Sequence, residues 1–235
     1  QSACLLKLGA AAIVAGMSLA EPDLSTAPVP RRPRGRPRKT ADERDDGNRR
    51  RELVAGAARL FRQQGFSATS TRDIAAAVGM RSGSPFYHFE SKEALLGAVM
   101  LEGMQGALQR QEAALALLPA GASPRERLRV LVRNHFDVLL GPDSDFIPVM
   151  LYEWRLLSPA QRSAVNDLKA AYEAVWVPVL AALHASGALK GDPVLARLFI
   201  FGAINWAAQW FDPARRATLD DLTETALQLF LKEPA

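Results

Sequence analysis

Residues 69–96, TSTRDIAAAVGMRSGSPFYHFESKEALL, decide how this chain is read. They spell two short helices joined by a tight turn, then an aromatic cluster and the opening of a longer helix. The first short helix is expected over 71–78, with Ser70 as its N-cap and Ile74, Ala75 and Val78 on the inward face. Gly79 follows the last periodic residue, where a left-handed C-cap favours a residue without a Cβ. The second is expected from about 82 to 89. So short a turn between two helices is the helix-turn-helix arrangement, which sends its second helix into the DNA major groove.

Upstream, residues 49–64 predict an amphipathic helix with Leu53, Ala57, Leu60 and Phe61 on its core face. Gly65 closes it and Phe66 packs back, as expected after a glycine C-cap. Downstream, Ser91-Lys92-Glu93 opens a helix expected to reach residue 117. Residues 49–101 together resemble the N-terminal domain of the TetR family of bacterial transcription repressors. The resemblance rests on Leu60-Phe61, Gly65-Phe66, Thr69 to Ala75, Gly79, Gly83, Phe86-Tyr87-His88-Phe89 and Ser91-Lys92-Glu93, in order and without gaps. Arg81 stands where the family commonly has a Ser or Thr N-cap, and Pro85 where Leu is common. As the fourth residue of a helix begun at Ser82, Pro85 falls among the positions whose N–H groups have no intrahelical partner.

The resemblance implies contacts from Tyr87, His88 and Lys92 to phosphates. Ser82, Gly83 and Ser84 would lie against base edges or phosphates at the helix N-terminus, with Arg81 adding a nearby cation. Thr71 and Arg72 would clamp the adjacent backbone. Phe89 is expected in the core, and Phe86 either there or on the groove wall.

Charge is segregated in support of this. Residues 31–94 carry 15 Lys+Arg against 8 Asp+Glu, residues 95–235 carry 13 against 15, and the whole chain is +4. The positive charge therefore gathers where a phosphate backbone would lie. Within it, Arg31 to Lys39 contains Arg34-Gly35-Arg36-Pro37-Arg38, which resembles an AT-hook, an extended reader of the narrow A·T minor groove. A plain basic arm attracting phosphates is the other reading.

Residues 5–20, LLKLGAAAIVAGMSLA, imitate a secretion signal. Their apolar core is too short to span a bilayer, and export does not suit a DNA-binding protein. Met17 offers an internal start, with residues 1–16 then an upstream extension. Residues 1–48 are expected to be a largely disordered arm, 49–94 a DNA-binding domain and 95–235 a ligand-binding and dimerisation domain. The protein is expected in the bacterial cytoplasm, at the nucleoid and not in a membrane.

The whole chain reads as all-α: Ala and Leu recur at helical spacing and period-2 apolar runs are absent. Capping signals at Ser123-Pro124, Ser158-Pro159, Asp192-Pro193 and Thr218 predict helices over 124–140, 145–157, 159–185 (bent at Pro178), 193–211 and 219–232, nine in all. Cys4 is the single cysteine, and His88, His135 and His184 fall on different predicted helices without ligand-spaced partners. No phosphate-binding glycine loop or nucleophile elbow occurs, so neither an enzyme, a cofactor nor a metal is expected.

For a small hydrophobic effector, the expected walls are Met100, Met104 and Leu108, then His135, Phe136 and Leu139, then Met150 and Trp154, and finally Trp176 and Leu180. Each of these residue types is also ordinary core. Phe199, Gly202, Trp206 and Trp210 form one stripe, and Leu219, Leu222, Ala226, Leu229 and Phe230 another, as expected of a homodimer interface. Residues 201–206 with Trp210-Phe211 and Arg215-Arg216 resemble an acyl-CoA-sensing branch of the family. That implies cations at the cavity mouth, for which Arg125, Arg129, Arg133, Arg215 and Arg216 are candidates. The expected partner is a double-stranded operator, and the alternative function is a ligand-independent architectural DNA binder.

Overall fold

Local capping chemistry sets most of the helix starts. In the computed structural model, which describes residues 41–80, 85–141 and 144–232 (side chains of 41–46, 85 and 86 excepted), Ser70 accepts a hydrogen bond from the backbone N–H of Asp73, whose carboxylate answers the Ser70 N–H. The same reciprocal box opens helices at Ser123 with Glu126, Ser158 with Gln161 and Thr218 with Asp221. The helices are α1 (Ala41–Gln64), α2 (Thr71–Ala77), α3 (Pro85–His88), α4 (Lys92–Ala116), α5 (Pro124–Leu140), α6 (Phe146–Glu153), α7 (Pro159–Ala174), α8 (Trp176–Ala185), α9 (Pro193–Trp210) and α10 (Leu219–Phe230). A single 3-10 turn, Trp154–Leu156, ends α6. Among the described residues the fold is all-α, and the one β contact is an isolated bridge between Leu189 and Leu231.

Two spans differ from expectation. Helix α1 begins at Ala41, about two turns before residue 49. The expected bent helix over 159–185 is instead two helices parted at Val175. Pro178 has no N–H for the Ala174 carbonyl and its ring crowds that oxygen, so the ladder stops where the proline would need it. The described residues thus hold ten α-helices where nine were expected.

One continuous apolar cluster runs from Leu53 on α1 to Leu231 beyond α10. Helix α4 is its axis, packing on α1, α5, α6 and α7. Two of its glycines allow this closeness: a Cβ at Gly97 would overlap the Gln161 side chain of α7, and one at Gly103 the Phe146 ring of α6. Among the described residues, no helix is long and apolar enough to cross a membrane.

Candidate nucleic-acid interface and effector cavity

At the DNA-binding end, Ile74 and Ala75 are buried, and Val78 packs against the core. Gly79 takes φ +67, the left-handed turn its position predicted. Tyr87 is 80 % exposed, His88 packs edge-on against it, and Phe89 is buried beneath the Arg50 guanidinium. Thr71 and Arg72 open α2 half-exposed and exposed. The expected contacts Arg34, Gly35, Arg36, Pro37, Arg38, Arg81, Ser82, Gly83, Ser84 and the Phe86 side chain lie outside the described residues. The secretion-like segment and the rest of residues 1–40 lie outside them too.

Lys92 is engaged otherwise than expected. Its ammonium donates to the carbonyls of Phe66 and Thr69, both at 2.8 Å, and lies 4.1 Å from the Phe66 ring centre. It pins the start of α4 to the loop between α1 and α2. With two of its three N–H groups so used, Lys92 acts here as a strut for the helix pair. Three further ties join this end to the body. Arg62 pairs with Asp145 at 3.0 Å, the Phe66 N–H donates to Glu153 at 3.0 Å, and Gln161 donates to the Glu93 carbonyl at 3.1 Å. Asp145 and Glu153 stand at the two ends of α6.

Between α4, α5, α6, α7 and α9 lies a cavity of about 160 Å³. Helix α4 lines it with Met104 and Ala107, α5 with His135 and Val138, and α6 with Ile147 and Met150. Helix α7 adds Lys169, Tyr172 and Glu173, and α9 adds Arg197, Leu198, Phe201 and Asn205. A largely buried hydrogen-bonded chain forms one side. The Trp176 indole donates to Gln111 at 2.8 Å, and Gln111 donates to the Tyr172 carbonyl at 3.0 Å. The Tyr172 hydroxyl lies 3.0 Å from His135 Nδ1, and His135 Nε2 lies 3.0 Å from Asn205 Oδ1. Burial pushes the His135 pKa down to about 4, against the opposing pull of Asn205. A neutral imidazole carries one ring proton. With an amide oxygen at Nε2, that proton sits there, and Nδ1 accepts from the Tyr172 hydroxyl. At the other side Glu173 is paired with Arg197 and, at 3.8 Å, with Lys169.

Known proteins were compared with this architecture. The model of the bacterial regulatory proteins of the tetR family matches residues 53–99, and that of the tetracyclin repressor-like C-terminal domain matches residues 121–233. A solved regulator of the TetR/AcrR family from Thermobifida fusca is 31 % identical, with 77 % of this chain and 96 % of that one covered and a TM-score of 0.59. The chain belongs to the TetR family. Members of that family are transcriptional regulators, not enzymes. Its curated relatives include the repressor KstR2 of Rhodococcus jostii, 27 % identical over 81 % of this chain and 93 % of the relative. Among solved structures, AibR in complex with isovaleryl coenzyme A and operator DNA is 26 % identical, covers 77 % of this chain and 97 % of its own, and has a TM-score of 0.70.

Within this TetR fold, Met104, His135 and Met150 are the expected wall residues that face the cavity. Met100, Phe136, Leu139, Trp176 and Leu180 are buried in the core around it, while Leu108 and Trp154 are half-buried against that core. Helical periodicity says which side chains point inward, but not which of them meet a void. The arginines expected at the mouth lie elsewhere. Arg125 reaches the Lys232 carbonyl, Arg129 pairs with Glu224, Arg133 with Asp137 and Asp220, and Arg215 with Asp212. Arg216 sits near Asp221, whose pKa is lowered chiefly by hydrogen bonds from Thr218. The cations at the cavity are Lys169 and Arg197, which nothing in the local sequence singled out.

The α9 stripe is outward. Phe199 is 69 %, Trp206 66 % and Trp210 54 % exposed, and Gly202 between them leaves open space where a Cβ would stand. On α10, Leu229 is exposed, whereas Leu219, Leu222, Ala226 and Phe230 are half-buried against the core.

Proposed function

We propose that this protein is a ligand-responsive transcriptional repressor that binds an inverted-repeat operator as a homodimer and leaves it when a small hydrophobic effector fills the cavity. One observation carries the reading. Helix α6 presents Ile147 and Met150 to the cavity and, through Asp145 and Glu153, holds Arg62 and the Phe66 N–H at the DNA-binding end. A ligand that displaces α6 therefore acts on the seat of α2 and α3, and its differential affinity for the two arrangements sets how far the population shifts.

Membership of the TetR family and the exposed Phe199–Trp206–Trp210 face support the dimer, since apolar surface of this kind marks an interface. Thr71, Arg72, Tyr87 and His88 meet the phosphates, residues 81–84 open the recognition helix, and Arg34 to Arg38 enter the minor groove beside it. For the effector we favour an acyl-CoA thioester over a flat aromatic compound. AibR, a relative of the same architecture, was solved with isovaleryl coenzyme A, and residues 201–216 resemble the acyl-CoA-sensing branch.

The test begins with operator selection from random duplexes, followed by anisotropy titrations with acyl-CoAs of increasing length, the free acids and aromatic compounds. Recovery of an inverted repeat and release by a thioester are expected. Trp206→Glu should leave a folded monomer that no longer binds the repeat. Release by no compound would leave an architectural DNA binder, and release by aromatics alone would reassign the effector.

A further inference from the structure

The two ends of the cavity are chemically unlike. Lys169, Arg197 and Glu173 form one, and the exposed Lys169 side chain marks it as the mouth. His135, Tyr172 and Asn205 form the other, with His135 and Tyr172 buried. Arg197 and Asn205 are separated along α9 by about 12 Å of helix, given ~1.5 Å per residue. Leu198 and Phe201 line the wall between them.

The inner end has an unspent donor. Asn205 Oδ1 faces His135 Nε2, and among the described residues the Asn205 amide nitrogen meets no acceptor. Both His135 ring nitrogens are already engaged. A purely alkyl tip pressed into this end would leave the amide dry, which is unfavourable. A carboxylate suits it no better: the cavity's cations are at the mouth, and His135, with its pKa about 4, supplies no positive charge at neutral pH. A neutral oxygen fits, because it accepts from the amide and needs no counter-charge.

Size limits the chain that carries this oxygen. A volume of about 160 Å³ is below the ~300 Å³ at which pockets begin to enclose a whole drug-sized ligand. The effector therefore buries a short piece of itself and leaves the remainder outside, beside Lys169 and Arg197.

We propose that the effector's buried piece is a short chain tipped by a hydroxyl or keto oxygen, that the Asn205 amide receives this oxygen, and that the anionic part stays at the Lys169–Arg197 mouth. Asn205 is then the residue that sets specificity. This rests on the thioester reading above and narrows it to oxygen-tipped acyl groups.

Pairs of thioesters matched in heavy atoms test it on the full chain bound to its operator: 4-hydroxybutyryl-CoA against pentanoyl-CoA, and 5-hydroxypentanoyl-CoA against hexanoyl-CoA. In each pair a hydroxyl replaces a methyl group. The hydroxy member should release the operator at a concentration lower by about tenfold or more. In Asn205→Leu that preference should vanish or reverse, and Asn205→Gln, which keeps the amide, should retain part of it. The wild-type pairs decide the matter even where Asn205→Leu folds poorly, because His135 loses its partner there. Equal potency, or greater potency of the alkyl member, overturns the inference and leaves the thioester reading standing. Release by neither member of any pair withdraws both.

Discussion

Polar side chains hold this molecule together in two places and in two different ways. In the C-terminal bundle the chain from Trp176 through Gln111 and Tyr172 to His135 is buried and ends at the half-buried Asn205, each hydrogen bond spanning 2.8–3.0 Å. At the DNA-binding end, Lys92, Glu153, Arg62 and Gln161 make ties of similar length, but at part-buried or exposed positions where water can replace them. Losing a buried partner strands a group that cannot find another, whereas losing a surface tie lets solvent in. The C-terminal bundle is thus a fixed frame, and the DNA-binding end is an adjustable attachment to it.

The largest effect should come from breaking the frame. Gln111→Leu leaves the Trp176 indole N–H and the Tyr172 carbonyl unpaired, at about 1–3 kcal/mol each. A fall in melting temperature of roughly 5–15 °C is expected by calorimetry at this chain length. A fall no larger than that of a surface variant would show that water reaches the network.

Acid should strain the same frame next. The folded His135 pKa of about 4 is below the ordinary imidazole value of 6.5, so between these values the unfolded chain binds the extra proton. Stability from this group is complete above pH 6.5 and declines as pH falls towards 4, by about 1.4 kcal/mol per pH unit at most. Denaturant midpoints measured across that window check the sign. His135→Gln should flatten the window even if it lowers stability throughout.

Lys92→Ala probes the attachment. Loss of its two charge-assisted bonds should cost about 2 kcal/mol and weaken operator binding by unseating α2 and α3. The dependence of log affinity on log salt should change by less than the ~0.9 expected for one lost phosphate contact. A full unit of slope would return Lys92 to the phosphates.

Arg62→Ala should have the smallest effect on stability, below about 1 kcal/mol, because the Arg62–Asp145 pair is partly exposed. Its informative readout is release: the effector concentration needed to free the operator should rise, since one of the ties between α6 and α1 is gone. Unchanged sensitivity would mean that the signal bypasses this pair.

The same contrast explains what could be read in the sequence. Ser70, Ser123, Ser158 and Thr218 opened helices where expected, because a capping box is complete within three residues of chain. The glycine turn at Gly79 and the buried Phe89 were legible for the same local reason. The break at Val175 was only half legible: Pro178 announced a disturbance, but the partners that let the chain part there are distant. Gln111 satisfies the Tyr172 carbonyl on one side of the break and the Trp176 indole on the other. A glutamine within a long helix carries no sign of such a task. Likewise Asn205, Lys169 and Arg197 gain their roles only when α7 and α9 meet across the cavity.

Gly103 gives the bundle a second way of being addressed. In the proposed mechanism an effector occupies volume on the cavity side of α6. A methyl group at residue 103 would occupy volume on the α4 side of the same helix, where the Phe146 ring already fills the space against the bare glycine. A glycine-to-alanine change at this position should therefore press on α6 without any ligand. The proposed mechanism thus has a heritable counterpart: one added carbon at residue 103 would press on the helix that a ligand is proposed to move.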